Sequence, residues 1–268
     1  MITVENLSLA LIQTDLYWEN IPANLAMFEE KLWAMDQKVD IIVLPEMFTT
    51  GFTMNSAGQA EPMNLHSTKW MLQMAGQLQS VITGSVIIKD QGNYFNRLLW
   101  ASPEGELLYY DKRHLFRMAG EDNFYAMGKE NKTFTCKGWK IRPQICYDLR
   151  FPVWSRNAST TDGEMEFDLL FYIASWPAAR VSAWDALLRA RAIENLGYCV
   201  GVNRIGKDGN GVAYCGHSAA YGFKGDALLE CGASEVISIV ELKAKELFDY
   251  RAKFPAWKDA DPFTLNRF

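Results

Sequence analysis

Four apolar stretches of this 268-residue chain each end in a polar or chemically special group. Glu46 follows Val39-Asp40-Ile41-Ile42-Val43-Leu44, Lys112 follows residues 107–111, Cys146 follows residues 139–145, and Ser175-Trp176 follows Leu169-Leu170-Phe171-Tyr172-Ile173. Strand ends are rigid positions from which a site can be assembled. In Gln144-Ile145-Cys146-Tyr147-Asp148-Leu149-Arg150-Phe151-Pro152 an apolar run stops at a thiol, and a polar turn, an aromatic and a proline follow. A thiol attacks only as its thiolate, so Cys146 needs a base. None of the three histidines, His66, His114 and His217, lies in a cysteine-protease signature. A carboxylate can replace them. Glu46 can take the thiol proton, Cys146 can attack a carbonyl-type carbon, and Lys112 can hold the negative oxygen with the backbone N–H of Tyr147. Taken singly, each has an ordinary alternative: Glu46 as a cap or ion-pair partner, Lys112 as a solvated lysine, Cys146 as an inert buried thiol.

The elements that must position these groups alternate. Strands are expected over residues 7–12, 39–44 and 81–88, with helices beginning at Asn20-Pro22 and spanning residues 67–80 between them. Residues 49–65 have the composition of a loop. Two hairpins follow, residues 94–101 with 107–112 and residues 132–136 with 139–145. A short helix is expected over residues 151–157, then a strand over 168–174 and a helix over 180–196, on which Asp185 and Arg189 could pair at i, i+4 spacing. Strands over 198–203, 218–223, 227–231 and 236–240 and a helix over 241–252 close the pattern, with a turn at 207–211. Helix–strand alternation with hairpins in the middle implies a mixed sheet system with outer helices, in one domain over residues 1–253 and an aromatic tail over 254–268.

Composition narrows the partners. The chain is 49% hydrophobic, ample for a large core, and its formal charge of -5 with no basic stretch argues against nucleic acid and anionic membrane. No apolar run reaches the roughly 18 residues of a membrane span. The N-terminus has no signal-peptide pattern, and five cysteines without a C-x-x-C pair suit reduced thiols in the cytoplasm. A zinc site built on Cys136, Cys146, Cys215 and His217 is a rival chemistry, but Cys215-Gly216-His217 is too tight for a typical zinc pair.

Leu44-Pro45-Glu46-Met47-Phe48, Tyr110-Asp111-Lys112-Arg113-His114-Leu115-Phe116 and the stretch around Cys146 resemble, in order and separation, the three signature blocks of the nitrilase superfamily, the carbon-nitrogen hydrolases. The resemblance runs from about residue 7 to 240 and takes in the helix residues 189–195 and Asn203-Arg204-Ile205-Gly206. It implies a single-domain four-layer α-β-β-α sandwich with a Glu46-Lys112-Cys146 triad. Gly120-Glu121 followed by Tyr125 and Gly128 resembles the family loop whose glutamate lies near the triad, which makes Glu121 a candidate to hold Lys112 or orient water; the alternative is an ordinary exposed acid. The Cys-Tyr-Asp-Leu-Arg-Phe-Pro block with Ser-Trp-Pro downstream is similar to the ω-amidase branch, whose members release ammonia from short α-keto acid monoamides such as 2-oxoglutaramate and 2-oxosuccinamate. Hydrolysis of another small amide (of the deaminated-glutathione type) or of a nitrile, and an inactive scaffold of the same fold, are the alternatives. The resemblance implies no metal or organic cofactor and a homodimer or higher homo-oligomer joined through outer helices. A carboxylated substrate calls for a cation or several N–H donors at its far end. Arg117, Arg150 and Arg180 are the candidates, with Asp148 a competing partner for Arg150, and Phe116 and Trp176 are expected as pocket walls.

Overall fold

Side chains of β1 (Leu7–Gln13) enter two different apolar clusters in alternation: Leu7, Leu9 and Leu11 one, Ala10 and Ile12 the other. A strand with apolar packing on both faces must lie between two layers, and this alternation sets the architecture. The computed structural model describes residues 4–159 and 164–261. After β1 come α1 (Ile21–Trp33), β2 (Ile41–Val43), α2 (Ser56–Gln59), α3 (His66–Leu78), β3 (Val81–Asp90), β4 (Asn93–Ala101) and β5 (Leu107–Asp111). The second half holds β6 (Phe134–Cys136), β7 (Trp139–Ile145), β8 (Leu169–Ala174), α4 (Val181–Asn195), β9 (Tyr198–Asn203), β10 (Ile205–Lys207), β11 (Ala213–Cys215), β12 (Ala219–Tyr221), β13 (Ala227–Glu230), β14 (Val236–Leu242) and α5 (Ala244–Lys253).

Among the described residues these strands form two six-stranded sheets, in the orders β14-β1-β2-β3-β4-β5 and β13-β12-β9-β8-β7-β6, and the small pair β10-β11. The sheets face each other across a core in which Trp100 of the first touches Phe134 and Phe171 of the second, at centroid distances of 5.4 and 6.3 Å. The outer face of the first sheet packs on Phe28 and Leu32 of α1 and Met71, Met74 and Ala75 of α3. Trp184, Leu188 and Ala192 of α4 and Leu247 of α5 join the cluster that holds the second sheet. The four-layer α-β-β-α sandwich is therefore present. No helix of the described residues is long and apolar enough to cross a membrane.

Local signals explain most boundaries. Asn20 caps α1 by accepting the Ala23 N–H at 3.1 Å, and Pro22 sits in the first turn, where its missing N–H costs nothing. Elsewhere the structure departs from expectation. The helical turn expected over residues 151–157 lies instead at Cys146–Arg150, because the Asp148 carboxylate accepts the Ile145 N–H and bends the chain at once. The last helix starts later than residue 241, since Glu241 and Leu242 still pair with Ser8 and Leu7. The loop of residues 49–65 contains α2, and the turn at 207–211 is flanked by the unexpected pair β10-β11. Asp185 and Arg189 do not pair with each other: Asp185 meets His217 at 3.2 Å and Arg189 meets Glu230 at 3.7 Å. Of the aromatic tail, residues 254–261 are described, and Phe263 and Phe268 lie outside the described residues.

The seating of α4 depends on one small residue. A Cβ on Gly201 of β9 would lie 2.5 Å from Leu188 and 2.6 Å from Trp184. Gly201→Ala is expected to destabilise the fold by about 1–3 kcal/mol, the usual cost of overpacking a core. A urea or thermal melt checks this, and an unchanged midpoint contradicts this packing of α4 on β9.

Candidate active site

Glu46, Lys112, Cys146 and Ser175 follow β2, β5, β7 and β8, so each sheet contributes two of them. The structure brings all four together. Lys112 Nζ lies 2.8 Å from Glu46 Oε1 and 3.0 Å from both oxygens of Glu121, and all three side chains are buried. Glu121 is thus no exposed loop acid; it also accepts the Phe116 N–H at 2.5 Å. Glu46 takes two further donors, Asn96 Nδ2 on Oε1 and the Ser175 N–H on Oε2, both at 2.8 Å. Cys146 is only 9% exposed, and Glu46 lies near enough to act on its thiol. Its φ of 44° is the left-handed region, uncommon for a residue with a side chain and a frequent sign of a strained functional position.

The electrostatics follow from burial. Desolvation, with the Glu46 charge second, pushes the Cys146 thiol well above its ordinary range, so the resting group is a neutral thiol. Burial works against the Lys112 ammonium, but Glu121 and Glu46 overcome it and hold the lysine charged, above its usual value. Glu121 itself is pushed up, by burial first and by Glu46 in addition, with Lys112 acting in the opposite direction.

A second carboxylate ties the supporting turns. Asp148, fully buried, accepts from Tyr110 Oη at 2.8 Å, the His114 N–H at 2.9 Å, His114 Nδ1 at 2.7 Å and the Ile145 N–H at 3.0 Å. Tyr110 and His114 bracket Lys112, while Ile145 and Asp148 bracket Cys146, so one carboxylate joins the two sheets beside the site. Asp148 does not take Arg150 as a partner, contrary to one expectation. Gly128 completes the support: its N–H donates to the Lys112 carbonyl at 2.8 Å, and a Cβ there would lie 2.0 Å from the Asp111 carbonyl oxygen.

Above Cys146 opens a cavity of about 300 Å³, mostly apolar, with Phe116 and Trp176 among its walls. Asn203 fixes Trp176 through both backbone groups, accepting its N–H at 2.7 Å and donating to its carbonyl at 3.1 Å. Arg150 and Arg180 line the cavity, each over an aromatic face, Trp176 at 5.0 Å and Phe116 at 5.4 Å. Arg117 does not: it points to solvent and pairs with Asp122 at 3.4 Å. Sequence reasoning missed Asn96 beside Glu46, and in the cavity wall Phe52, Tyr214 of β11 and Asp208 of the turn between β10 and β11. Asn96 left one signal, a polar residue in the hairpin arm just ahead of the apolar Leu98-Leu99-Trp100. Among the described residues no three His, Cys, Asp or Glu side chains gather as metal ligands.

A two-sheet sandwich with a thiol, a carboxylate and a lysine at strand ends suits hydrolytic chemistry, and comparison with known proteins gives the class. Residues 8–252 match the carbon-nitrogen hydrolase family. The chain is 44% identical to the omega-amidase YafV of Yersinia enterocolitica, over 98% of this chain and all of that protein. It is 30% identical to the 2-oxoglutaramate amidase of Bacillus subtilis, over 94% of this chain and 96% of that one. The crystal structure of XC1258 from Xanthomonas campestris, a CN-hydrolase superfamily protein with an arsenic adduct in its active site, superposes with a TM-score of 0.95 at 42% identity, covering 97% of this chain and 99% of that one. The chain belongs to the carbon-nitrogen hydrolase family and is an enzyme of its amide-hydrolysing class.

The inter-sheet tie can be tested by itself. Asp148→Ala leaves several buried donors unpaired, and breaking a buried charged network of this kind costs about 3–5 kcal/mol. Urea unfolding is expected to show that loss; a loss below 1 kcal/mol contradicts it.

Proposed function

We propose that this enzyme releases ammonia from the ω-amide of small α-keto acid monoamides, of the 2-oxoglutaramate and 2-oxosuccinamate type, through a thioester on Cys146. The observation that carries the chemistry is one buried carboxylate, Glu46, that holds a buried ammonium at 2.8 Å and acts electrostatically on the buried Cys146 thiol. Glu46 takes the Cys146 proton as the sulfur attacks the amide carbon. Lys112 and the Tyr147 N–H, in the first turn after the nucleophile, bind the oxyanion. Protonated Glu46 then passes its proton to the departing ammonia, which leaves the acyl group on sulfur. Glu46 next removes a proton from water, whose oxygen attacks the thioester and frees the carboxylic acid and the thiol. Each proton transfer is worth about 10²–10⁴-fold and each oxyanion donor about 10²–10³-fold. Because burial keeps the thiol protonated at rest, a base in contact with it is required rather than merely helpful.

The substrate class rests on the relatives' activities and on the cavity. Arg150 and Arg180 face an apolar space, and among the described residues neither has a carboxylate partner; they meet ring faces and, for Arg180, the Met118 sulfur. A substrate carboxylate fits that charge, with the amide directed at Cys146. The same reading places the enzyme in the cytoplasm with reduced thiols, as a homodimer or larger homo-oligomer. Ile193 on α4 and Phe248 on α5 are exposed on the outer layer and suit such an interface.

Cys146→Ala is expected to abolish ammonia release from 2-oxoglutaramate; near-normal turnover by a folded variant would sink the mechanism. Glu46→Gln separates base from nucleophile. Removing the Glu46 charge relieves part of what holds the thiol proton, so alkylation of Cys146 by iodoacetamide should persist while ammonia release falls by at least about 10²-fold. For the pocket, Arg150→Ala and Arg180→Ala are each expected to raise KM for the keto acid monoamide by about 10- to 100-fold, the worth of a lost charge-assisted hydrogen bond. Butyramide, which lacks the carboxylate, should show little change in kcat/KM; an equal loss on both substrates rejects a carboxylate clamp.

A further inference from the structure

We infer that Asn96 is a positioning residue that keeps Glu46 in place while Lys112 turns to the oxyanion. The inference rests on the proposed roles of Lys112 and Glu46 and adds a step that they require. An ammonium has three N–H donors. In the resting site they face three carboxylate oxygens: Glu46 Oε1 at 2.8 Å and Glu121 Oε1 and Oε2 at 3.0 Å. To bind a developing oxyanion Lys112 must redirect one of them. The Glu46 contact is the one that turnover loosens, because Glu46 becomes neutral once it holds the Cys146 proton and attracts the ammonium less.

If Lys112 were the sole donor on Glu46 Oε1, that oxygen would lose its partner in a dry site at the moment when its carboxyl must stay aimed at the sulfur and the leaving nitrogen. Asn96 prevents this. Its Nδ2 donates to the same oxygen at 2.8 Å and lies 3.5 Å from Glu121 Oε1, while the Ser175 N–H holds Oε2. Asn96 is also anchored to the lysine backbone, since the Lys112 N–H donates to the Asn96 carbonyl at 3.0 Å. One fully buried residue of β4 thus fixes the carboxyl through its side chain and the root of the lysine through its backbone, leaving only the lysine side chain to move. The amide orientation is dictated by the site, because turning it over would set its oxygen against two carboxylates. Its Oδ1 accepts no hydrogen bond from a protein group among the described residues.

The charged and titratable groups around this pair are Lys112, Glu121 and Cys146, with Tyr125 and Tyr214 near enough for Glu46 to act on their hydroxyls. None of them offers Glu46 Oε1 a second N–H.

Asn96→Leu keeps the volume and removes the donor. With kcat expressed per alkylatable Cys146, the variant is expected to lose about 10- to 100-fold in kcat, less than a direct oxyanion donor costs, with KM within about threefold of wild type. A merely structural role would lower the titratable fraction and leave kcat per site unchanged, and that result overturns the inference. A structure of the enzyme with an aldehyde analogue of the substrate, succinate semialdehyde, added to Cys146 as a hemithioacetal tests it without altering Asn96. The expected arrangement has Lys112 Nζ within hydrogen-bond reach of the adduct oxygen and off Glu46, with Asn96 Nδ2 still about 3 Å from Oε1. Asn96 leaving Glu46, or Lys112 binding the adduct oxygen with its Glu46 contact unchanged, overturns it. Turnover by Cys146→Ala would instead defeat the thioester reading on which the inference stands.

Discussion

One buried ammonium between two buried carboxylates is the constraint on which the rest of the structure depends. Removing a charge from water costs several kcal/mol per ion even after relaxation, and mutual attraction repays this only when the remaining polar atoms are satisfied. Lys112, Glu46 and Glu121 meet that condition with donors from four places: the lysine itself, the Asn96 amide, the Ser175 N–H and the Phe116 N–H. Burial, with the Glu46 charge in addition, holds Cys146 as a thiol beside this cluster.

This arrangement explains why the two sheets must close face to face. Glu46 and Lys112 belong to the first sheet, and Cys146 and Ser175 to the second. The Ser175 N–H on Glu46 is one bond between them, and the Asp148 network is another. The core clusters supply the driving force for closure, since Trp100, Phe134, Phe171 and their neighbours are withdrawn from water only when the sheets meet. Packing by itself has no sense of register at the scale of a hydrogen bond. The carboxylates of Glu46 and Asp148 add it, and they do so at the strand ends where the candidate site lies.

The cavity shows a different economy. Its walls are aromatic and aliphatic, its floor is the thiol, and its cations are arginines laid on ring faces. Guanidinium stacking of this kind keeps a cation close to an apolar space at modest desolvation cost. The β10-β11 pair is closed on itself by Asp208, which accepts from Tyr214 Oη at 2.8 Å and from the Asn210 and Val212 N–H groups at 2.9 Å. That wall is therefore preformed.

Much of this was legible in the chain. Strand-length apolar runs ending at Glu46, Lys112, Cys146 and Ser175 are local patterns, and a local pattern survives folding because backbone geometry decides where a run of that length stops. The hairpins around Ser102-Pro103-Glu104-Gly105 and Lys137-Gly138, the cap at Asn20 and the α4 face of Trp184, Leu188 and Ala192 are local in the same sense. Family likeness added Glu121, which composition would have left on the surface. What only the tertiary structure decided is which distant groups share an atom. Glu46 and the Ser175 N–H are 129 residues apart, and Asn96 and Glu46 are 50 apart. Nothing local distinguishes Arg180, which lines the cavity, from Arg117, which lies in water. The direction of a side chain past its strand or turn is set by how the sheets pack, and that packing sums small contacts over the whole chain. The sequence alone therefore determined which reactive groups stand at strand ends; only the closing of the two sheets decided which partners hold them.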